Sequence, residues 1–115
     1  MSEHKAAMAR RNAIATRANP NGTHDYLVEI SARSEVMNAD VRIRYVPDKL
    51  ILTDMTTWLT LAKADTPEAL AIRMIEDLSN ELVPRWIEIR LTRTGHIVTI
   101  ADSQPDWNNR HMSFK

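Results

Sequence analysis

Apolar and polar positions alternate with a period of two from His24 onward. Tyr26, Val28, Ile30 and Ala32 fall on one side, and Leu27, Glu29, Ser31 and Arg33 on the other. Successive side chains of an extended chain point to opposite faces, so this stretch predicts a strand. After Ser34-Glu35-Val36-Met37-Asn38 the alternation resumes, with Val41, Ile43 and Tyr45 opposite Arg42 and Arg44, until Pro47-Asp48-Lys49 turns the chain. Two antiparallel strands joined by a loop are expected. Residues 50–64 read two ways: Leu50-Ile51-Leu52 extends a strand, while Thr53 or Asp54 can cap a short helix running through Leu61.

The period then changes. Thr66 is a good N-cap, Pro67 suits a first helical turn that needs no N–H, and Glu68 complements the positive end of the helix. Ala71, Met74, Ile75, Leu78 and Leu82 recur at helical spacing, with Arg73, Glu76, Asp77 and Asn80 expected on the outer side. Pro84 ends the helix. Trp86, Ile87, Ile89 and Leu91 then alternate with Glu88, Arg90 and Thr92, and Thr94-Gly95 turns into a last strand from His96 to Ala101. The predicted order is strand, strand, short helix, long helix, strand, strand: an α+β domain in which helices cover one face of a four-stranded antiparallel sheet. Such a sheet has two open edges whose backbone groups need partners, and pairing them between copies around a ring makes a barrel, so a homo-oligomer is expected.

Outside this pattern, residues 1–22 are Ala-rich with scattered Lys5, Arg10, Arg11 and Arg17, and read as a flexible basic arm. A helix over 6–14 fits the composition, with an apolar face too thin to dock firmly. Residues 23–103 form the domain, and 104–115 a polar tail carrying Trp107 and Phe114.

A chain of 115 residues makes one domain with one core. No apolar run approaches the roughly 20 residues of a membrane helix, and neither a secretory core nor a cleavage site follows Met1. Lys and Arg total 15 and so do Asp and Glu, so no overall field draws the chain to nucleic acid or an anionic membrane. With no cysteine there is no disulfide, thiol nucleophile or thiolate metal site, and the expected compartment is the cytoplasm.

Few residues offer chemistry. His24 and Asp25 could form an acid/base pair, although neighbours on a strand point to opposite faces. His96 follows a turn glycine, and His4 and His111 lie near the ends. Trp58 and Trp86 could stack on a planar ring but sit where core residues belong, and Trp107 suits docking on a neighbouring subunit. Arg42, Arg44, Arg85, Arg90 and Arg93 could line an anion channel in a ring of copies, or pair across strands with Glu29 and Glu88. No spacing of His, Asp or Glu suggests a metal, and two glycines cannot build a phosphate loop.

The segments Val41-Arg42-Ile43-Arg44-Tyr45-Val46-Pro47-Asp48, Glu68 with Glu76-Asp77-Leu78, and Pro84-Arg85-Trp86-Ile87-Glu88-Ile89-Arg90 together resemble the 7-cyano-7-deazaguanine reductase family of the tunnelling-fold superfamily, over 40–101. The resemblance implies a barrel of ββααββ units and a purine- or pterin-like ligand held between subunits. In that family a glutamate at this helix start grips the 2-amino-pyrimidinone edge, and it falls on Glu68. A carboxylate suits that edge because it accepts two parallel N–H donors; otherwise Glu68 serves the helix dipole alone. The family's catalytic cysteine is missing. Its Glu-Ser-Lys cofactor signature is replaced near Thr53-Asp54-Met55, and Pro67 stands where the family has histidine. The resemblance therefore implies a heterocycle binder without thiol-dependent nitrile reduction, no cofactor being assigned and catalysis left open. The alternatives are a pseudoenzyme, a partner subunit of an active paralogue, or a small RNA-binding or interaction domain. Zero net charge and 5% aromatic residues argue against the RNA reader.

Overall fold

A computed structural model gives the structure of the chain, described for residues 3–107. It is an α+β domain with helices α1 (Glu3–Asn12), α2 (Thr56–Leu61) and α3 (Pro67–Leu82) and strands β1 (Ala15–Ala18), β2 (Val28–Ser34), β3 (Ala39–Val46), β4 (Leu50–Asp54), β5 (Trp86–Arg93) and β6 (His96–Ser103). All strand pairs are antiparallel. The main sheet has the order β2-β3-β5-β6, and β1 and β4 form a separate two-stranded ribbon.

Register follows the alternation. Ile30 faces Ile43, Ile43 faces Ile89 and Ile89 faces Ile100, so one apolar row crosses the sheet beneath the helices. Val41, Tyr45, Ile87 and Leu91 share that face and are buried with Leu70, Met74, Leu78 and Leu82 of α3. Thr66 caps α3 by accepting the Ala69 N–H at 3.1 Å, as its sequence position predicts. At the other end Val83 adopts the left-handed conformation, φ 44°, and its N–H bonds to the Ser79 carbonyl. Gly95 (φ 77°) and Thr94 (φ 50°) make the β5–β6 turn.

Three expectations require correction. Residues 3–18 are not a loose appendage: α1 lies against α2 and α3, and β1 pairs with β4. The element order is accordingly longer than two strands, two helices and two strands. The firm docking of α1 is polar, which an apolar-face criterion cannot see: Arg10 is its single buried residue, and it reaches a carboxylate on α3. Asp77, expected on the outer side of α3, is that carboxylate and is buried. The 50–64 region resolves into both alternatives, strand β4 and then helix α2, with Asp54 accepting the Thr56 N–H at 2.9 Å where the helix begins. His111 and Phe114 lie outside the described residues.

Candidate functional site

Glu68 occupies the first turn of α3, and the fold sets this turn beside the start of β6. Its Oε2 lies 3.3 Å from His96 Nε2, an ion pair when the imidazole is protonated. Both side chains are open to solvent, 58% for Glu68 and 52% for His96. Helical spacing continues the line from Glu68 through Ile72, Ile75, Ser79 and Val83. At its far end, Ser79 and Val83 line a shallow recess of about 150 Å³ with Ile87, Asp102, Ser103 and Gln104. A stripe of α3 thus follows edge strand β6 from the Glu68–His96 pair to this recess. Ile72 on that stripe and Ile97 on β6 are both exposed. The Ser79 hydroxyl in the recess is buried without a hydrogen-bond partner.

Two other polar clusters are closed. Arg10 Nε donates to Asp77 Oδ2 at 2.9 Å, and Trp58 Nε1 donates to the same oxygen at 3.0 Å. Trp58 is fully buried, so it is unavailable for stacking on a ligand, and the same holds for Trp86. Arg85 ties the chain crossing near 19–26 to the β3–β4 turn. Its guanidinium donates to the Gly22 and His24 carbonyls and to the carboxylates of Asp25 (2.8 Å) and Asp48 (3.3 Å). Gln104 donates to the other Asp48 oxygen at 2.9 Å. That hydrogen bond, with the nearby Arg85 charge, holds the Asp48 carboxyl below its ordinary pKa. Asp25 is thereby committed to Arg85, and the His24 ring meets Thr23 instead, so the two do not form an acid/base pair. Trp107 is half-buried, its Nε1 without a partner among the described residues.

The sheet face opposite the helices carries Glu29, Ser31, Asp40, Arg42, Arg44, Glu88, Arg90 and Thr92. Arg44 forms a forked pair with Glu88 at 2.9 and 3.1 Å and lies 5.6 Å from the ring centre of Trp86. Glu88 is the main reason the Arg44 pKa is raised. The expected cross-strand pairing is therefore present for Arg44, closely with Glu88 and at 3.8 Å with Glu29. Arg42 only approaches Glu88, at 4.0 Å. Arg93, whose strand partner is His96, lies apart from this group.

Among the described residues, no three His, Asp or Glu side chains gather where they could hold a metal ion. No helix among them is long and apolar enough to cross a membrane. The sequence points to Glu68 but places His96 only after a turn glycine; the β5–β6 turn brings the two together, and nothing in their separation along the chain signals it. Comparison with protein-family models and with curated proteins finds no match.

Proposed function

We propose that this chain is an oligomeric tunnelling-fold protein, similar to 7-cyano-7-deazaguanine reductases, that binds a purine- or pterin-like heterocycle through Glu68 at a subunit boundary without thiol-dependent nitrile reduction. The observation that carries this proposal is the position of Glu68. It stands 58% exposed beside the first residue of edge strand β6, so that an enclosed pocket around it requires a neighbouring chain. Setting aside α1 and the β1–β4 ribbon, the remaining elements run strand, strand, helix, helix, strand, strand, which supports the tunnelling-fold assignment. The edges suit it too. Strands β2 and β6 run in opposite directions, so the β6 edge of one copy can take the β2 edge of the next in continuing antiparallel order. A head-to-tail contact of this kind closes into a ring when the rotation between copies divides a full turn.

In such a pocket the Glu68 carboxylate accepts the paired N–H donors of a 2-amino-pyrimidinone edge. Glu68→Gln preserves size but replaces an acceptor with a donor. It should weaken binding by about 1.5 kcal/mol or more, the loss of a charged hydrogen bond, and change stability by less than about 1 kcal/mol. Calorimetric titration of guanine, 7-cyano-7-deazaguanine and pterin into both proteins, with thermal melts and light scattering, decides it. A monomer, an absence of heterocycle binding, or equal binding by the variant would each overturn the assignment.

A further inference from the structure

The open face of the main sheet contains a row that its neighbours do not explain. Ser31 stands opposite Arg42, Arg42 opposite Arg90, and Arg90 opposite Thr99, four consecutive cross-strand positions on β2, β3, β5 and β6. Two guanidiniums directly across from each other repel, and sheets ordinarily avoid such pairs. Here the local carboxylates do not neutralise them. Both Glu88 oxygens are taken by Arg44, and Asp40 is taken by Arg33 at 2.9 Å. Arg42 approaches Glu88 only at 4.0 Å, and its Nε is buried with no partner. Arg90 has no hydrogen-bond or ion-pair partner among the described residues and is exposed. Ser31, Asp40, Arg42, Arg90 and Thr92 line an open recess of about 270 Å³, just below the roughly 300–1,000 Å³ of small-molecule pockets, and the one carboxylate on it, Asp40, is paired with Arg33.

We infer that this row is a binding site for the phosphoryl group of a small phosphorylated molecule, held between Arg42 and Arg90 with hydroxyl donors from Ser31 and Thr92. An anion between the guanidiniums converts their repulsion into two charge-assisted contacts, and the planar forks of arginine match phosphate oxygens. The size of the charged zone selects a small ligand over a nucleic acid strand. The least paired positive charge spans only two adjacent residues, with Asp40 on the recess and Glu29 and Glu88 beside it, whereas a polynucleotide requires a longer basic track. The site lies on the face opposite the helices and does not depend on Glu68.

The test uses inorganic phosphate, pyrophosphate and a single-stranded oligonucleotide, at matched ionic strength, with the full chain. Magnetic-resonance titration should show pyrophosphate shifting amides around Ser31, Arg42, Arg90 and Thr99. Arg42→Gln and Arg90→Gln should each weaken binding about tenfold, the loss of one charged hydrogen bond. Without added anion both variants should melt no lower than the wild type, because a repulsive pair has been removed, and pyrophosphate should raise the wild-type melting temperature more than theirs. Shifts that are absent or scattered over the surface, variants that bind as tightly as the wild type, or an oligonucleotide that displaces pyrophosphate at lower concentration would overturn the inference.

Discussion

Asp77→Ala removes a carboxylate that joins α1, α2 and α3. In the native chain its oxygens take Arg10 Nε at 2.9 Å and Trp58 Nε1 at 3.0 Å, and Arg10 and Asp77 are only 7% and 4% exposed. Breaking a buried ion pair from one side costs about 3–5 kcal/mol, and stranding the indole N–H adds about 1–3 kcal/mol. The two do not sum fully, because Arg10 is the only buried residue of α1 and the helix can swing out to hydrate its guanidinium. The expected loss is therefore about 3 kcal/mol, or roughly 12 °C in melting temperature for a domain of this size. Amide protection over 3–12 should fall further than protection of β3 and β5. Replacing both partners, Arg10→Met with Asp77→Leu, removes the stranded charge and should recover part of the loss, leaving about 1–2 kcal/mol for the unpaired Trp58 N–H. Denaturant unfolding with hydrogen exchange measures all of this. A loss below about 1 kcal/mol for Asp77→Ala, or a double variant no better than the single, would refute the reasoning.

Asp48 has a folded pKa below its ordinary value through Gln104 and Arg85, so its contribution to stability is complete above the ordinary carboxylate range and is lost as pH falls through the depressed folded value; acid titration of unfolding should be shallower in Asp48→Asn. Val83 holds a β-branched side chain at φ 44° while 57% exposed, so Val83→Gly should stabilise the chain by about 1 kcal/mol in thermal melts, and a loss would mean that its contacts outweigh its backbone strain. With 7-cyano-7-deazaguanine and a reduced nicotinamide cofactor, absorbance should show no cofactor oxidation above background, since the thioimide route needs a thiolate and the chain has no cysteine; turnover would require another nucleophile.

The main sheet was legible because its two hairpins carry unbroken alternation, and the start of α3 because Thr66, Pro67 and Glu68 each suit one position of a helix end. Asp77 was misplaced by its chemical type rather than by its phase. Counting from Leu70 through Met74 in steps of three and four reaches 77 and 78 together, which puts this aspartate on the buried stripe. Its partner Arg10 lies 67 residues away, and no local pattern connects them. Strand β1, Ala15–Ala18, has no apolar alternation of its own and exists through backbone pairing with β4. Glu68 is a candidate through a resemblance alone; its neighbour His96 carries no such signal, because only the closed β5–β6 hairpin brings it there.

Degree of charge satisfaction separates the groups that hold the fold from those left open to a partner. Around Asp77 and Arg85 the charged groups are paired within the chain, and each cluster joins segments distant in sequence. Such groups are too committed to bind a ligand without dismantling the fold that places them. Glu68 and the Arg42–Arg90 pair are the reverse: exposed or underpaired, on opposite faces, and near no structural crossing. Replacing them should therefore leave folding almost intact while changing binding, and replacing Asp77 or Arg85 should do the opposite. The two groups of variants, compared by thermal melting and by titration with heterocycles and pyrophosphate, test that division directly. A Glu68 or Arg90 substitution that unfolds the chain would place those residues among its structural supports instead.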